Sequence, residues 1–414
     1  MFHPRKYWKK LGPGIITGAA DDDPSGVVTY AQTGARFGYG FLWLALFTTP
    51  LMIAAQEMSA RLGLVTHRGL TALVRQHVSA KIAVGLAVLV FLTNTLNLGA
   101  DVGAMSEVLK LLAPVPTSFA IIGFAAVILA LEIWLSYKRY ANILKWLSLA
   151  LLAYVAAAFS VHQDWGAILH HTLVPIWLGG RSSLTLIVGV LGTTISPYLF
   201  IWQASEEVEE EPAKTATPTA MGARLQRMRK DTYTGMIYSN IMMFFIILTT
   251  AATLHQAGLV NIGTARQAAE ALRPVAGHFT FWLFALGIIG IGLQSIPVLA
   301  GSAAYAVSEV FGWREGLAKK LRQARGFYLA IAVSMIIGII SNFLGWSPVK
   351  FLIATAVLNG LLAPVLLFFI IRLADDARVV GDHLSTRSIR WWGWFCFSAM
   401  TLAGLILIRQ WIWP

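Results

Sequence analysis

Cysteine and charge are scarce in this chain. Its 414 residues include one cysteine, Cys396, inside a late apolar run. A lone thiol closes no intramolecular disulfide and offers no thiolate cluster for zinc or an iron–sulfur centre. Only 13% of the residues are charged, against 57% hydrophobic, roughly half the charge of an ordinary soluble domain. A water-soluble enzyme of this composition would expose more apolar surface than monomers tolerate. The same figures exclude a disordered, collagenous or disulfide-scaffold chain. They leave an integral membrane protein, with the lipid bilayer as its first partner.

Eleven apolar runs are long enough to cross about 30 Å of hydrocarbon. They cover approximately 11–35, 40–63, 82–109, 117–136, 141–161, 182–205, 232–255, 279–311, 326–346, 350–372 and 391–412. None alternates with the period of a barrel strand, so all are read as helices. Gly12-Pro13-Gly14 interrupts the first apolar stretch and Asp21–Asp23 follow it, which favours a span over a signal peptide. The stretch from Glu206 to Asp231 reads as a cytoplasmic loop. The loops around 162–181 and 256–278 have room for short outer helices.

The net charge of +12 does not imply nucleic acid here, because the cations segregate. With the N-terminus inside and each run crossing once, 25 of the 32 Lys and Arg fall on the inner side, from Arg5 through Arg390. That asymmetry predicts an N-terminus inside and a C-terminus outside the cytoplasmic membrane.

Two runs are interrupted alike. The first contains Asp21-Asp22-Asp23-Pro24-Ser25-Gly26, and the sixth contains Gly192-Thr193-Thr194-Ile195-Ser196-Pro197-Tyr198. Proline removes a donor and clashes with the preceding turn, so each helix should break there. Non-helical backbone at membrane depth persists only where protein or water satisfies it. Two broken helices five segments apart predict an all-α transporter with a five-plus-five inverted repeat, the LeuT-like fold. Repeat one would cover roughly 11–161 and repeat two roughly 182–372, with 391–412 an added helix, all in a single transmembrane domain 1–414. Asp23, beside the first break, is expected to hold a cation or water. The bland alternative is that Asp21–Asp23 ends a short helix at the interface.

Asp23-Pro24-Ser25-Gly26 followed by Gly34-Ala35-Arg36-Phe37-Gly38-Tyr39 resembles the first-helix signature of the Nramp divalent-metal transporters, Asp-Pro-Gly-Asn. Arg61–Thr66 with Gly69-Leu70 is similar to that family's loop after helix two. Ser196-Pro197-Tyr198 stands where the family has Met-Pro-His, and Gln294-Ser295 with Ala300-Gly301 fits the eighth helix. The resemblance implies a metal site made of Asp23, Gly26 in place of Asn, the backbone carbonyl of Thr193, and Ser196 in place of Met. Loss of the thioether leaves oxygen donors alone, and loss of Asn leaves room. Such a site suits a partly hydrated Mg²⁺, with Mn²⁺ also accepted, and the pattern resembles the Nramp-related magnesium transporters.

The family's acids on helix three match Asn97 and Ala100 here, with Asp101 displaced by one residue. A step of one residue turns about 100° on a helix, so Asp101 is expected to face elsewhere. Tyr198 stands in for the family's histidine. Together these changes imply uptake without proton coupling.

The leading expectation is a uniporter-like carrier importing Mg²⁺ and also Mn²⁺, the ion being cargo and no cofactor being implied. No nucleic acid and no obligatory protein partner is suggested. A proton-coupled Mn²⁺/Fe²⁺ carrier is the alternative. An amino-acid carrier is disfavoured, because Asp23 would repel a substrate carboxylate. An intramembrane enzyme would need facing acids or a His-Glu-x-x-His pattern, and only Asp23 and Asp101 could supply such a pair.

Glu206, Glu207, Glu209, Glu210 and Glu211 read as a solvated run beside Arg224–Lys230. Asn359 and Thr355 could line the site or bond between helices. His162, His170 and His171 lack ligand spacing, and most of the fifteen tryptophans are expected at the interfaces.

Overall fold

The computed structural model describes residues 13–134, 151–210 and 218–413. The expectations that concern Arg5, Lys138 and Glu211, and the first half of the run 141–161, lie outside these residues. The described residues contain no strand.

The first apolar run forms two helices, α1a (Pro13–Asp21) and α1b (Pro24–Phe37). A short 3₁₀ turn leads to α2 (Trp43–Thr66), which leaves α1b at an angle of 108°. There follow α3 (Ala80–Leu109), α4 (Thr117–Trp134) and α5, described over Leu152–Ser160. The sixth run is also divided, into α6a (Gly180–Thr194) and α6b (Pro197–Glu210). The remaining helices are α7 (Pro218–Thr250), α8 (Thr280–Phe311), α9 (Arg325–Ser341), α10 (Pro348–Ala374) and α11 (Arg387–Ile412).

Among the described residues, seven helices are individually long and apolar enough to span a membrane, or eight with the bent pair. That count takes the divided sixth run as one span and α1b with α2 as the bent pair; the helix of the fourth run is short, and the fifth run is described only in part.

Helix α7 corrects one boundary. It begins at Pro218, well before the expected 232, so Arg224–Lys230 are helical rather than part of a loop. Pro218 fits there because the first helical turn needs no proline N–H. The loops around 162–181 and 256–278 do carry short helices, at Trp165–Leu173 and at Ala265–Ala269.

Packing sorts the helices into a core set and a frame. Helix α1a lies against α7 and α6b, and α7 also packs on α2. Helix α3 runs along α8 and α9, and α6a along α10. Lipid offers no hydrophobic drive for helix association, so close approach of small residues has to hold such pairs. Helices α1a and α7 show this directly. A β-carbon on Gly18 would collide with the Gly235 carbonyl, and one on Gly235 with the Gly14 carbonyl. The exposed tryptophans are consistent with an interfacial belt, as with Trp391 and Trp413, but Trp202 is fully buried.

Candidate metal site

The α1 break is a helix start built on an acid. Asp23 is the N-cap of α1b: its Oδ1 accepts from the Gly26 amide and the Ser25 hydroxyl, both at 2.7 Å. Pro24 at the first helical position has no N–H to satisfy. Asp23 Oδ2 accepts from Asn97 Nδ2 of α3 at 2.9 Å. On the other side of the break the last turn of α1a is tied down by Tyr198, whose hydroxyl donates to the Ala20 carbonyl at 3.0 Å. Asp21 and Asp22 turn towards α7, where the Ser239 hydroxyl donates to both.

The α6 break satisfies itself differently. Ser196 Oγ donates back to the carbonyls of Gly192 (2.6 Å) and Thr193 (2.8 Å), covering the end of α6a. The two breaks meet at Gly26, where a β-carbon would stand 3.0 Å from Thr193 Oγ1. Any side chain there would press on Thr193, so the glycine keeps an opening between the breaks.

The Thr193 carbonyl, the expected ligand, accepts one hydrogen bond from Ser196, which leaves its second lone pair. The group that faces Gly26 is the Thr193 hydroxyl, which is buried without a hydrogen-bond partner. The Ser196 hydroxyl spends its proton on the helix end, because a free serine next to unpaired carbonyls bonds them first.

Asp101 changes more. It does not turn away: one turn on from Asn97 and on the same face, it lies beside the Ser25 amide and the Ser295 hydroxyl, with no close, well-aligned hydrogen bond to either of its oxygens. The one-residue offset failed as a guide because α1b, α8 and α3 meet around this point, and more than one azimuth of α3 faces the break. Asn97, one turn earlier on the same helix, is the residue sequence reasoning undervalued. Its signal was the polar Asn94 and Asn97 in an otherwise apolar run.

The acids are sealed from both faces. Asp21 and Asp101 have no exposed surface, and Asp22 and Asp23 have 1%. On the side of α1a, Gly14 N donates to Asp231 (2.7 Å), and Thr17 Oγ1 donates to Gln203, which donates to Glu207. On the side of α1b, Gln32 clamps the long loop after α7 through Val260 O (3.0 Å) and Ile262 N (2.7 Å). His255 closes the π-helical turn Ala251–His255 against the Ala35 carbonyl at 2.9 Å.

The acidic run after the sixth helix is not solvated either. Glu206 and Glu207 are buried, and Glu209 accepts from Tyr305 and from the Leu317 amide at 2.9 Å. Arg61 is also buried, paired with Glu57 at 2.6 Å and donating to the His383 carbonyl at 3.1 Å. Thr355 bonds within its own helix to Leu352 O, and Asn359 is buried. His170 and His171 lie on the short outer helix, apart from the breaks.

A family model described as "Natural resistance-associated macrophage protein-like" matches residues 14–410. The chain belongs to this Nramp family. A divalent metal cation transporter MntH of Caldanaerobacter subterraneus subsp. tengcongensis is 25% identical over 413 residues, 97% of this chain and 93% of the relative. A crystal structure of the Eremococcus coleocola manganese transporter with an aromatic bis-isothiourea compound superposes with a TM-score of 0.77 at 19% identity. That match covers 99% of this chain and 89% of the other. Mhp1, a nucleobase-cation-symport-1 family transporter, matches in a closed conformation with a TM-score of 0.62 at 14% identity, over 96% and 90% of the two chains. Its inward-facing form matches less well, at 0.55.

The structural likenesses establish the fold: an all-helical, LeuT-like inverted repeat with helices one and six broken. The matched relatives carry the names of transporters, and the intramembrane enzyme falls away.

Proposed function

We propose that this chain is a secondary carrier that imports Mg²⁺, and also Mn²⁺, across the cytoplasmic membrane by alternating access and without proton coupling. The observation that carries the reading is the buried carboxylate of Asp23, held at a helix break by neutral donors, the Ser25 hydroxyl, the Gly26 amide and Asn97. Neither break, 21–26 or 192–198, contains a sulfur atom. Hard oxygen donors favour Mg²⁺ and Mn²⁺, whereas a thioether would favour softer transition metals. Family membership and the MntH relatives support divalent metal ions as the cargo.

In this reading Asp23 supplies charge to the ion, the Thr193 hydroxyl supplies a neutral oxygen, and Gly26 leaves space for a retained water. Ser196 acts on the ion through Thr193, by holding the end of α6a. Transport would swing α1a off α7 on the inner side and release Gln32 from the loop after α7 on the outer side. The orientation, N-terminus inside and C-terminus outside, rests on the cation asymmetry, as do the single domain and its two repeats on the paired breaks.

Proton-coupled Mn²⁺/Fe²⁺ transport is favoured by one observation, the position of Asp101 next to Asp23, which removes part of the case against a proton relay. Flux in proteoliposomes separates the two. Excess Mg²⁺ should suppress Mn²⁺ uptake, and a pH-sensitive dye inside the vesicles should stay constant. Acidification in proportion to metal flux, with Mg²⁺ inert, would establish the second reading and refute the first.

A further inference from the structure

We propose that Asp101 is a second anionic ligand of the transported ion, so that the bound cation joins the hinge of α1 to the fixed helix α3. This deepens the proposed function and rests on it. Asp23 already accepts three hydrogen bonds, two on Oδ1 and one on Oδ2. One acceptor site remains on Oδ2, and the rest of the unspent acceptor capacity belongs to other residues. Both oxygens of Asp101, the Asn97 Oδ1 and the Ser295 Oγ are buried without a partner, and they come from α3 and α8. Asp101 lies one helical turn from Asn97, which holds Asp23, and on the same face of α3, with the Ser295 hydroxyl and the Ser25 amide beside it. Native interiors rarely leave so many polar atoms unpaired in one spot, and such groups mark an ion or water that belongs there.

The charges point to a cation. Two carboxylates share a sealed interior, and the groups beside them are all neutral: the Ser25 hydroxyl, the Gly26 amide and Asn97 at Asp23, and the Ser25 amide and the Ser295 hydroxyl at Asp101. Each is costly to bury as an anion, and they repel. A hard divalent ion between them removes both costs and finds carboxylate, hydroxyl and amide oxygens around it. The second carboxylate also compensates for the neutral ligands that Gly26 and Ser196 no longer provide.

Asp101 and Asp23 differ in mobility by construction. Helix α3 is pinned to α9, since Asn342 Nδ2 donates to the Gly99 carbonyl at 2.8 Å and Thr95 bonds Ser334 at 2.8 Å. Asp23 sits at the break of α1. An ion shared by both ties the moving segment to the frame, and stabilises the closed form by its greater affinity for that form.

The test uses the purified full-length chain with Mg²⁺ and Mn²⁺ titrated by calorimetry, beside Asp23→Asn, Asp101→Asn and Asp101→Glu. Asp101→Asn is isosteric and keeps a protonated acid's shape, so a merely structural Asp101 would leave affinity within about twofold of wild type. The proposal expects a loss of about 10- to 100-fold, with partial recovery in Asp101→Glu and an unchanged thermal unfolding midpoint. A second readout is the distance between spin labels on α1a and α9, which should contract on adding Mg²⁺ in wild type but not in Asp101→Asn. If Asp23→Asn abolishes binding while Asp101→Asn binds normally and still contracts, the proposal is overturned and the proposed carrier stands. If wild type binds no divalent ion, both are overturned.

Discussion

The two breaks occupy equivalent positions in the inverted repeat, yet they solve the same problem with opposite chemistry. At α1 the opened backbone is capped by a carboxylate, and the freed carbonyl of Ala20 is met by a tyrosine from the other break. At α6 a serine folds back on its own helix end. Both proline positions stop the helix for the same steric reason. Only α1 carries charge, and only α6 is self-sufficient. The repeat therefore dictates where the chain opens, while individual side chains decide which opening carries charge.

The strongest way to break this contrast is Asp23→Ala. It should reduce Mg²⁺ flux in proteoliposomes to background while the protein still inserts. The lost cap should lower stability by only about 1 kcal/mol, seen as a small fall in the unfolding midpoint. Retained flux would mean that the charged break is not the site.

Gly26→Asn should come next, since its β-carbon would press on Thr193 Oγ1. Overpacking of this kind costs about 1–3 kcal/mol, and Mg²⁺ flux should fall further than Mn²⁺ flux, because the retained water loses its room. Equal loss of both ions would argue against a partly hydrated cargo.

A smaller change is expected at the neutral break. Ser196→Ala should cost about 1 kcal/mol of stability and slow transport without abolishing it. Ser196→Met should move the preference towards Mn²⁺, measured by competition between the two ions.

The smallest effect on transport lies away from both breaks, in the loop after α8, where the readout is stability. Burial, with Glu309 and Glu209 nearby, pushes Glu315 up to about 9 from the ordinary 4.5. The folded chain then holds a proton that the unfolded chain has released, so stability should fall as pH rises from about 4.5 to about 9. Glu315→Gln should flatten that slope in unfolding curves recorded across the range. An unchanged slope would mean that Glu315 is ionised in the fold.

Most of the architecture was legible in the residues. Apolar runs marked the helices, and Pro24 and Pro197 marked the breaks because a ring at those positions leaves the backbone no alternative. The cap at Asp23 and the missing side chain at Gly26 were legible for a related reason: both act locally. Asp101 and Glu209 were misjudged because their roles depend on what packs beside them. A helical offset of one residue counts as turned away only when one neighbour is considered, and α3 has several. An acidic run looks solvated until Tyr305 and the loop at Leu317 close over it.

The sequence by itself determined that the chain lives in a bilayer, where it breaks, and that charge sits at one break. Those properties follow from composition and from backbone sterics within a few residues. Only the tertiary structure decided that the Thr193 hydroxyl rather than its carbonyl faces Gly26, that Asn97 holds Asp23, and that Asp101 joins them. Each of those depends on the rotation of one helix against another, which is settled by packing across residues far apart in the chain.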